Sequence, residues 1–452
     1  MKKSILALPV CVALTTLVYA DAVFVNGPMK FKPIAASAYG QTTTDPLILN
    51  SEPWVLPEGF TQHIISDESN LNIYPDSSDL GDMNTINENG KYAGRYLYRT
   101  HEVRPVTGVP YSGGAISIVD LKTGVTELLA QRADWEALDG LVWTPWQTLL
   151  FAEETITAQL PDPDAPNAQS GLLYELKFAN NDPTTVEEIK VRPMIGSLSH
   201  EGIKVDDEGN VYVIDEDRRG SIYKFVPDTY GNLSSGQLYA LRVKNGAKTG
   251  EAEWVALDMN QVQANARIAA QAVNATPFCR PEDLEYIGNT LYAALTCEDA
   301  TNPANTNGPG AILAVSLTPV PKVNYFVQPG VNVPFEVKPT SSAPGETGLK
   351  NPDNLAKGHD GKLWIVEDND NSDIWVALPD EDGDGYSDSV HLFASLKDQS
   401  AEGTGIYFGK DPYTLFVNIQ HSGTGNDKTM AITRKSMDLN LVSNSINKVS
   451  NK

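Results

Sequence analysis

The sequence contains little cysteine and little positive charge. Only 3 of its 452 residues are cysteines, and 34 lysines and arginines stand against 58 acidic residues, for a formal net charge of −24. This acidity argues against nucleic acid and anionic membranes as partners, because both would be repelled. It suits a protein that holds divalent or trivalent cations, and a solvated acidic surface is the alternative reading.

Several catalytic motifs are also missing. The chain has no Gly-x-Ser-x-Gly nucleophile turn, no phosphate-binding loop and no zinc-ligand spacing. Beyond the N-terminal segment no apolar run approaches the roughly 18 residues that a membrane span requires. We therefore expect no membrane-spanning segment and no serine-type or zinc-type hydrolase.

Residues 1–20 have the pattern of a secretory signal peptide. Lys2 and Lys3 precede an apolar run, and small residues end it at Ala20. The pattern predicts a periplasmic or secreted protein with a single domain at residues 21–452, which we expect to be monomeric. Two cysteines remain, Cys279 and Cys297. An oxidising compartment would allow them to form a disulfide, and two separate thiols are the alternative.

A degenerate repeat is the most informative feature that is present. Six copies each begin with a polar or acidic residue, continue as strand, turn and strand, and end in a second acidic cluster. Clear copies run from His200 to Asp217 and from Pro352 to Asp368, and a weaker first copy ends at His101-Glu102. Short runs rich in Val, Ile, Tyr and Leu follow several copies, which adds a further strand. Only residues 260–272 have a helical composition. The repeat predicts an all-β fold, a six-bladed β-propeller.

The repeat also predicts a metal site. The start of the first strand of a hairpin and the end of the second lie at the same edge, so the acids should converge on one mouth of the channel. We expect an inner ring of Asp139, Glu201, Glu282, Asp353 and Glu402. Just outside it we expect Glu102, Glu153, Glu154, Asp215, Asp217, Glu298, Glu367 and Asp368. So many carboxylates would repel one another unless hard cations bind among them.

Arg280 is the exception within this acidic set. It lies two residues before Glu282. A guanidinium beside a cation cluster is explained if an oxyanion such as phosphate is bound there, because its planar fork matches phosphate oxygens. The alternative is an arginine that neutralises one surplus carboxylate.

A set of short motifs resembles the PhoX-type alkaline phosphatases. In chain order the motifs are Thr144-Pro145-Trp146, Glu153-Glu154, His200-Glu201, Tyr223-Lys224-Phe225, Arg280-Pro281-Glu282 and Phe416 to His421. The resemblance implies a six-bladed propeller that binds iron and calcium and hydrolyses phosphate monoesters. It further implies that Glu154, Glu201 and Glu282 are metal ligands and that Arg280 stabilises the transferring phosphoryl group. Glu102, in Thr-His-Glu, matches the family's Asn-His-Glu segment.

The chain departs from that family at one position. Where the family carries an iron-binding cysteine before Thr-Pro-Trp, this sequence has Asp139. A carboxylate binds ferric iron or calcium, but without the thiolate the site favours hard metals. The signal peptide also lacks the twin-arginine start common in the family, which indicates metals acquired after export. We therefore expect Ca²⁺, with Fe³⁺ as the alternative ion.

A second acidic motif is independent of the ring. Asp380, Asp382, Asp384 and Asp388 have the spacing of the first part of a calcium loop. His391 stands where the bidentate Glu would be. The motif predicts a structural calcium loop, and a plain acidic turn is the alternative.

These observations predict an exported, metal-dependent phosphatase that acts on a small phosphorylated substrate. Arg280 is its predicted catalytic residue. Its predicted metal ligands are Glu102, Asp139, Glu154, Glu201, Glu282, Asp353 and Glu367. Two alternatives stay open. One is a lactonase or phosphotriesterase-like calcium propeller, in which Arg280 has no evident task, and the other is a calcium-binding scaffold without catalysis.

Overall fold

The computed structural model describes residues 24–71, 73, 80–106, 113–155, 162–168, 171–302 and 304–435. These residues form a β-propeller with six blades, which confirms the predicted fold class. The predicted signal peptide at residues 1–20 lies outside the described residues. Within the described ranges, no helix combines the length and the apolar composition of a membrane span.

Each blade is an antiparallel sheet whose first strand lines the channel. Before the blades come a 3-10 helix (Ala38–Gly40), α1 (Pro46–Leu49), β1 (Trp54–Val55) and β2 (Phe60–Asp67). The first blade consists of β3 (Gly81–Ile86), β4 (Tyr96–His101), β5 (Ala115–Asp120) and β6 (Val125–Gln131). The second consists of β7 (Leu138–Trp143), β8 (Leu149–Glu153), β9 (Leu173–Phe178) and β10 (Val186–Val191). The third consists of β11 (Ile203–Val205), β12 (Val211–Ile214), β13 (Ile222–Thr229), β14 (Asn232–Val243) and an additional strand, β15 (Gly250–Ala256).

The remaining blades follow in the same order along the chain. The fourth blade consists of β16 (Pro281–Ile287), β17 (Thr290–Leu295), β18 (Ala311–Ser316) and β19 (Lys322–Val327). The fifth consists of β20 (Pro352–Lys357), β21 (Leu363–Glu367), β22 (Asp373–Ala377) and β23 (Val390–Leu396). The sixth contains β24 (Glu402–Phe408), β25 (Thr414–Gln420) and β26 (Lys428–Arg434). The helix expected at residues 260–272 is α2 (Met259–Ala272), which is capped by Asp258 and interrupted at Asn265. Three further 3-10 turns occupy Ala179–Asn181, Pro193–Ile195 and Lys244–Gly246.

The ring is closed by strands from the two ends of the chain. β2 pairs with β26 and supplies the outermost strand of the sixth blade, and β1 adds to β23 of the fifth. The six inner strands contact one another in cyclic order: β3, β7, β11, β16, β20, β24 and again β3. All six residues of β3 are buried, whereas outer strands such as β6 are largely exposed. Each blade therefore packs on both faces, and stability depends on the whole circle.

Candidate metal and phosphate site

Four carboxylates occupy β-bulges at the starts of inner strands. In the second blade Leu138 pairs with Glu153 and Leu141 with Phe151, so the inner strand carries one extra residue just where Asp139 lies. The same register shift follows Gly81, Pro281 and Pro352. A bulge turns a side chain out of the regular alternation. The bulges point the side chains of Asp82, Asp139, Glu282 and Asp353 towards the channel mouth. Glu201, which lies just before β11, joins them there.

A second tier of carboxylates follows the second strands of four blades. Neighbouring residues of an extended segment face opposite sides, so only one acid of each adjacent pair faces the channel. The other acid turns into its own blade and accepts backbone hydrogen bonds. Glu153, for example, accepts from the backbone N–H groups of Glu136 and Leu172, both at 3.0 Å. The channel-facing members are Glu102, Glu154, Glu216 and Asp368.

Carboxylate oxygens from these two tiers form three tight groups. In each group, one ligand oxygen per residue lies within 4.8 Å of the others. The groups are Asp82–Glu102–Asp139, Glu154–Glu201–Glu216 and Glu201–Glu282–Asp353. Because Glu201 belongs to two of them, the second and third groups are contiguous.

The chemistry of these oxygens fits bound cations. Asp139 is 1% exposed, and no hydrogen-bond donor of the described chain reaches either of its carboxylate oxygens. Burial raises the pKa of Asp139, and the charges of Asp82 and Glu102 raise it further. Burial and the charge of Glu102 likewise raise the pKa of Glu154 to about 11. Buried, crowded acids without donors can ionise together only if positive charge compensates them, and hard cations with oxygen ligands provide it.

Arg280 is the cation among these carboxylates. Its Nε donates to Glu216 over 2.7 Å and lies 3.0 Å from Glu282 Oε1 without the alignment of a hydrogen bond. Its Nη2 lies 3.8 Å from Asp368. Burial lowers the pKa of Arg280, but these carboxylates raise it more, so the guanidinium stays charged. The side chain is one-third exposed, so an incoming anion can reach it from solvent.

The backbone of Arg280 is held on three sides. Its φ is +44°, in the left-handed region that non-glycine residues rarely adopt. Its N–H donates to the carbonyl of Asp217 over 2.9 Å, and its own carbonyl accepts from Thr296 over 3.0 Å. The preceding residue, Cys279, forms a disulfide with Cys297. Of the two alternatives for these cysteines, the structure has the disulfide.

Arg267 of α2 holds the two segments of the third blade that carry Glu201 and Glu216. It donates to both oxygens of Asp215, over 2.6 and 2.7 Å, and to Asp217 over 2.9 Å. Asp215 in turn accepts from the backbone N–H of Ser199 over 3.2 Å. The segments that carry Glu201 and Glu216 are thus tied to one guanidinium. Because α2 lies in an insertion between β15 and β16, no sequence motif predicted this role for Arg267.

The structure makes two corrections, one to the outer set of carboxylates and one to the inner ring. Glu367 does not face the channel: its oxygens accept from the N–H groups of Lys350, Asp373 and the Trp375 indole, at 2.8 to 3.2 Å. It is the blade-facing member of its acidic pair, so it is no part of the three carboxylate groups. Asp215, Asp217 and Glu298 are likewise committed to Arg267, Lys248 or backbone donors.

Glu402 is the second correction. In the sixth blade the bulge follows Thr404, so the place of Asp139 is taken by Gly405. Gly405 has φ +55°, and a Cβ there would lie 2.0 Å from the carbonyl oxygen of Asp82. The inner ring therefore has five carboxylates and one glycine, which allows the sixth and first blades to approach closely. Glu402 lies upstream, beside Asp368, and burial followed by that contact raises the pKa of Glu402 to about 10.

Sequence reasoning missed two of the converging residues, Asp82 and Glu216. Asp82 begins the weakest repeat, where the inner strand reads Gly-Asp-Met-Asn and lacks the usual spacing to Glu102. Glu216 directly follows the blade-facing Asp215, as Glu154 follows Glu153 and Asp368 follows Glu367. That adjacency was the signal that could have identified it.

The predicted calcium loop lies at the surface, between β22 and β23. Asp380, Asp382 and Asp388 place one oxygen each within 4.8 Å of one another, whereas Asp384 is outside this group. Asp380 also accepts from the backbone N–H groups of Gly383 and Gly385, at 2.7 and 2.9 Å. The loop is folded around Asp380, and its calcium stays a prediction.

Comparison with known proteins identifies the family and supports the fold. The family model described as alkaline phosphatase PhoX matches residues 142–423. A solved structure of PhoX from Pseudomonas fluorescens, in complex with the transition-state analogue vanadate, has a TM-score of 0.62 at 19% identity and covers 90% of this chain and 98% of its own. A gluconolactonase from Xanthomonas campestris has a TM-score of 0.45 at 12% identity, covering 91% of this chain and 99% of its own. Among curated protein sequences, none matches this chain.

The family match covers more than half of the chain and includes Glu154, Glu201, Arg280, Glu282 and Asp353. These five are among the residues that the fold brings to one mouth of the channel. This chain belongs to the PhoX family of alkaline phosphatases and is a hydrolase of the phosphatase class.

Proposed function

We propose that the protein is a metal-dependent phosphatase that hydrolyses phosphate monoesters at the carboxylate ring. One observation carries this proposal: the charged guanidinium of Arg280 lies against Glu216, Glu282 and Asp368 at the mouth of a site otherwise made of carboxylates. In a site that only stored cations, a fixed positive charge could do no more than offset a surplus carboxylate, and it would repel the cations that bind beside it. A site that binds cations and an oxyanion together requires both.

The proposed metal ligands are the eight residues of the three carboxylate groups, namely Asp82, Glu102, Asp139, Glu154, Glu201, Glu216, Glu282 and Asp353. When bound, the cations would supply Lewis acidity towards the phosphate oxygens and a nucleophile at neutral pH. All eight side chains offer oxygen and none offers sulfur, which favours hard cations. We propose Ca²⁺, with Fe³⁺ as the alternative ion at the group that contains Asp139.

Arg280 would bind and orient the phosphate. Its Nε is engaged by Glu216, so its Nη groups remain to donate to phosphate oxygens. Its left-handed backbone and the hydrogen bonds from both sides hold the guanidinium in place before substrate arrives. Such preorganised charge stabilises a transition state more than a ground state, because negative charge on the phosphoryl oxygens has to be met without rearrangement. The vanadate complex of the Pseudomonas protein supports this class of chemistry.

We further propose that the protein acts outside the cytoplasm, in the periplasm or after secretion. The disulfide between Cys279 and Cys297 supports an oxidising compartment, since such bonds are rare where thiols are kept reduced.

Metal analysis and turnover of p-nitrophenyl phosphate by the purified protein test the proposed function together. We expect turnover that is lost on chelation and returns with Ca²⁺ or with Ca²⁺ and Fe³⁺. Two buried glutamates provide a matched pair: Glu201→Gln should lose metal and activity, whereas Glu367→Gln should retain bound metal per folded molecule. Turnover of lactones instead of phosphate esters would support the lactonase alternative, and metal binding without either activity would support a scaffold.

A further inference from the structure

A second concave site lies beside the metal ring, on the third blade. It has a volume of about 920 Å³ and is bounded by the turn at residues 219–221, the turn at residues 242–248 and the segment that follows α2. Four cationic side chains line it, together with one carboxylate, Glu253; the cations are Arg219, Arg242, Lys244 and Lys248. We call it the basic cavity. Its sign is opposite to that of the chain, whose formal charge is −24.

Part of this positive charge is not neutralised locally. Arg242 pairs with Glu253, Lys244 with Glu251 and Lys248 with Glu298, all at 2.9 to 3.1 Å. Among the described residues, no carboxylate lies within ion-pair distance of the exposed Arg219 guanidinium. Lys244 also keeps donors beyond the one that Glu251 accepts, whereas Lys248 lies near both oxygens of Glu298. The cavity therefore offers one unpaired guanidinium and several free N–H groups to an anion.

The basic cavity and the metal ring share two short segments of chain. Residues 216–221 carry Glu216 at the ring and Arg219 at the cavity, and three peptide units limit their Cα separation to about 11 Å. Residues 276–282 carry Thr276 at the cavity and Arg280 at the ring. The two segments lie side by side, since the N–H of Phe278 donates to the carbonyl of Gly220 over 2.7 Å.

We propose that the basic cavity binds a second phosphate group of a substrate whose first phosphate lies at the ring, an inference that rests on the proposed function. Any further negative charge on such a substrate would be repelled by Asp368, the channel-facing outer carboxylate that is not among the proposed metal ligands. Arg219 and Lys244 provide the nearby positive charge that a polyphosphorylated small molecule needs. An arginine fork and lysine ammonium groups match phosphate oxygens, and a positively lined cavity concentrates anions locally.

A matched pair of substrates tests this subsite: fructose 6-phosphate and fructose 1,6-bisphosphate differ only by the second phosphate. The variant Arg219→Gln/Lys244→Gln removes the two cations and leaves every proposed metal ligand and Arg280 in place. We expect kcat/KM for the bisphosphate to fall by about tenfold, the sum of two partly exposed charge contacts, and the value for the monophosphate to change by less than about twofold. Lys410→Gln, which removes an exposed lysine at the opposite end of the channel, should change neither value.

Equal losses for both substrates would mean general electrostatic attraction and would overturn the subsite, as would no loss for either. If the wild type hydrolyses neither sugar phosphate nor p-nitrophenyl phosphate, the proposed function fails, and calorimetric titration with inorganic pyrophosphate then decides the cavity. Weaker binding by the double variant would support the cavity as an anion site, and unchanged binding would refute it.

Discussion

The guanidinium of Arg280 and the carboxylate of Glu216 come from different blades and meet over 2.7 Å. Glu216 follows β12 of the third blade, and Arg280 precedes β16 of the fourth. The contact turns one edge of the guanidinium towards the ring and leaves its other N–H groups open. It sets the orientation from which the first prediction follows.

Arg280→Ala should lower kcat for p-nitrophenyl phosphate, with a loss of about 2 to 4 kcal/mol of transition-state stabilisation. The metal content of the variant should stay near normal. The reason is that Arg280 is assigned to the phosphate and not to the metal. Steady-state kinetics with metal analysis of the same sample measures both. Arg434→Ala is the control. Arg434 is the last residue of β26, and its guanidinium donates to the Pro28 carbonyl and not to a ring residue. Unchanged kcat would contradict the assigned role.

Asp139→Asn should weaken metal binding and, without metal, raise the unfolding temperature. The amide keeps the size of the side chain but removes a buried carboxyl group that, without cations, must either stay charged beside Asp82 and Glu102 or take up a proton on folding. Thermal unfolding in chelator and in excess Ca²⁺ gives both values. Asp139→Cys, which introduces the family's thiolate, should increase iron uptake. A chelated Asn variant that unfolds below the chelated wild type would show that Asp139 is not repelled by its neighbours.

Arg267→Ala should destabilise the metal-free protein by about 3 to 5 kcal/mol, because it leaves Asp215 buried without its ion-pair partner. Chemical denaturation measures this change. Metal affinity should fall as well, since the segments that carry Glu201 and Glu216 lose their common anchor. Adding Asp215→Asn should restore part of the stability by removing the orphaned charge. If the double variant is no more stable than the single one, the pair does not act as described.

Replacing both Cys279 and Cys297 by serine should cost about 3 kcal/mol of unfolding free energy, the chain-entropy value for a loop of this size. At a temperature where the variant is fully folded, its kcat should still be lower than that of the wild type, because the backbone of Arg280 loses one of its restraints. Reduction of the wild type with dithiothreitol provides the comparison without mutation. Full activity in the folded variant would show that the hydrogen bonds to Asp217 and Thr296 hold Arg280 on their own.

Much of the fold was encoded locally and was therefore predictable. Short runs rich in Val, Ile, Tyr and Leu, such as Ile222–Val226 and Ala311–Val315, and the turn residues between them indicated strands that the structure contains within Ile222–Thr229 and Ala311–Ser316. The sixfold repetition of that local pattern indicated the propeller. Asp139, Glu201, Glu282 and Asp353 could be named because each lies at the same point of its repeat.

What the sequence did not encode locally was which way each side chain turns. Glu153 and Glu154 are indistinguishable in a list of residues, yet one accepts blade hydrogen bonds and the other faces the channel. The position of the bulge also decides which residue of an inner strand enters the ring. In the sixth blade the bulge lies three residues after Glu402, so Gly405 takes the sixth ring position.

The sequence by itself determined the blades, the acidic character of one channel mouth and the place of Arg280 beside it, because the composition of each run and its position in the repeat are local properties. The tertiary structure decided ring closure by β2 and β26, the partners of Arg280 and the anchoring of two ligand segments by Arg267. These contacts join residues that are 50 to more than 350 positions apart, and their geometry arises only when all six blades pack around one axis.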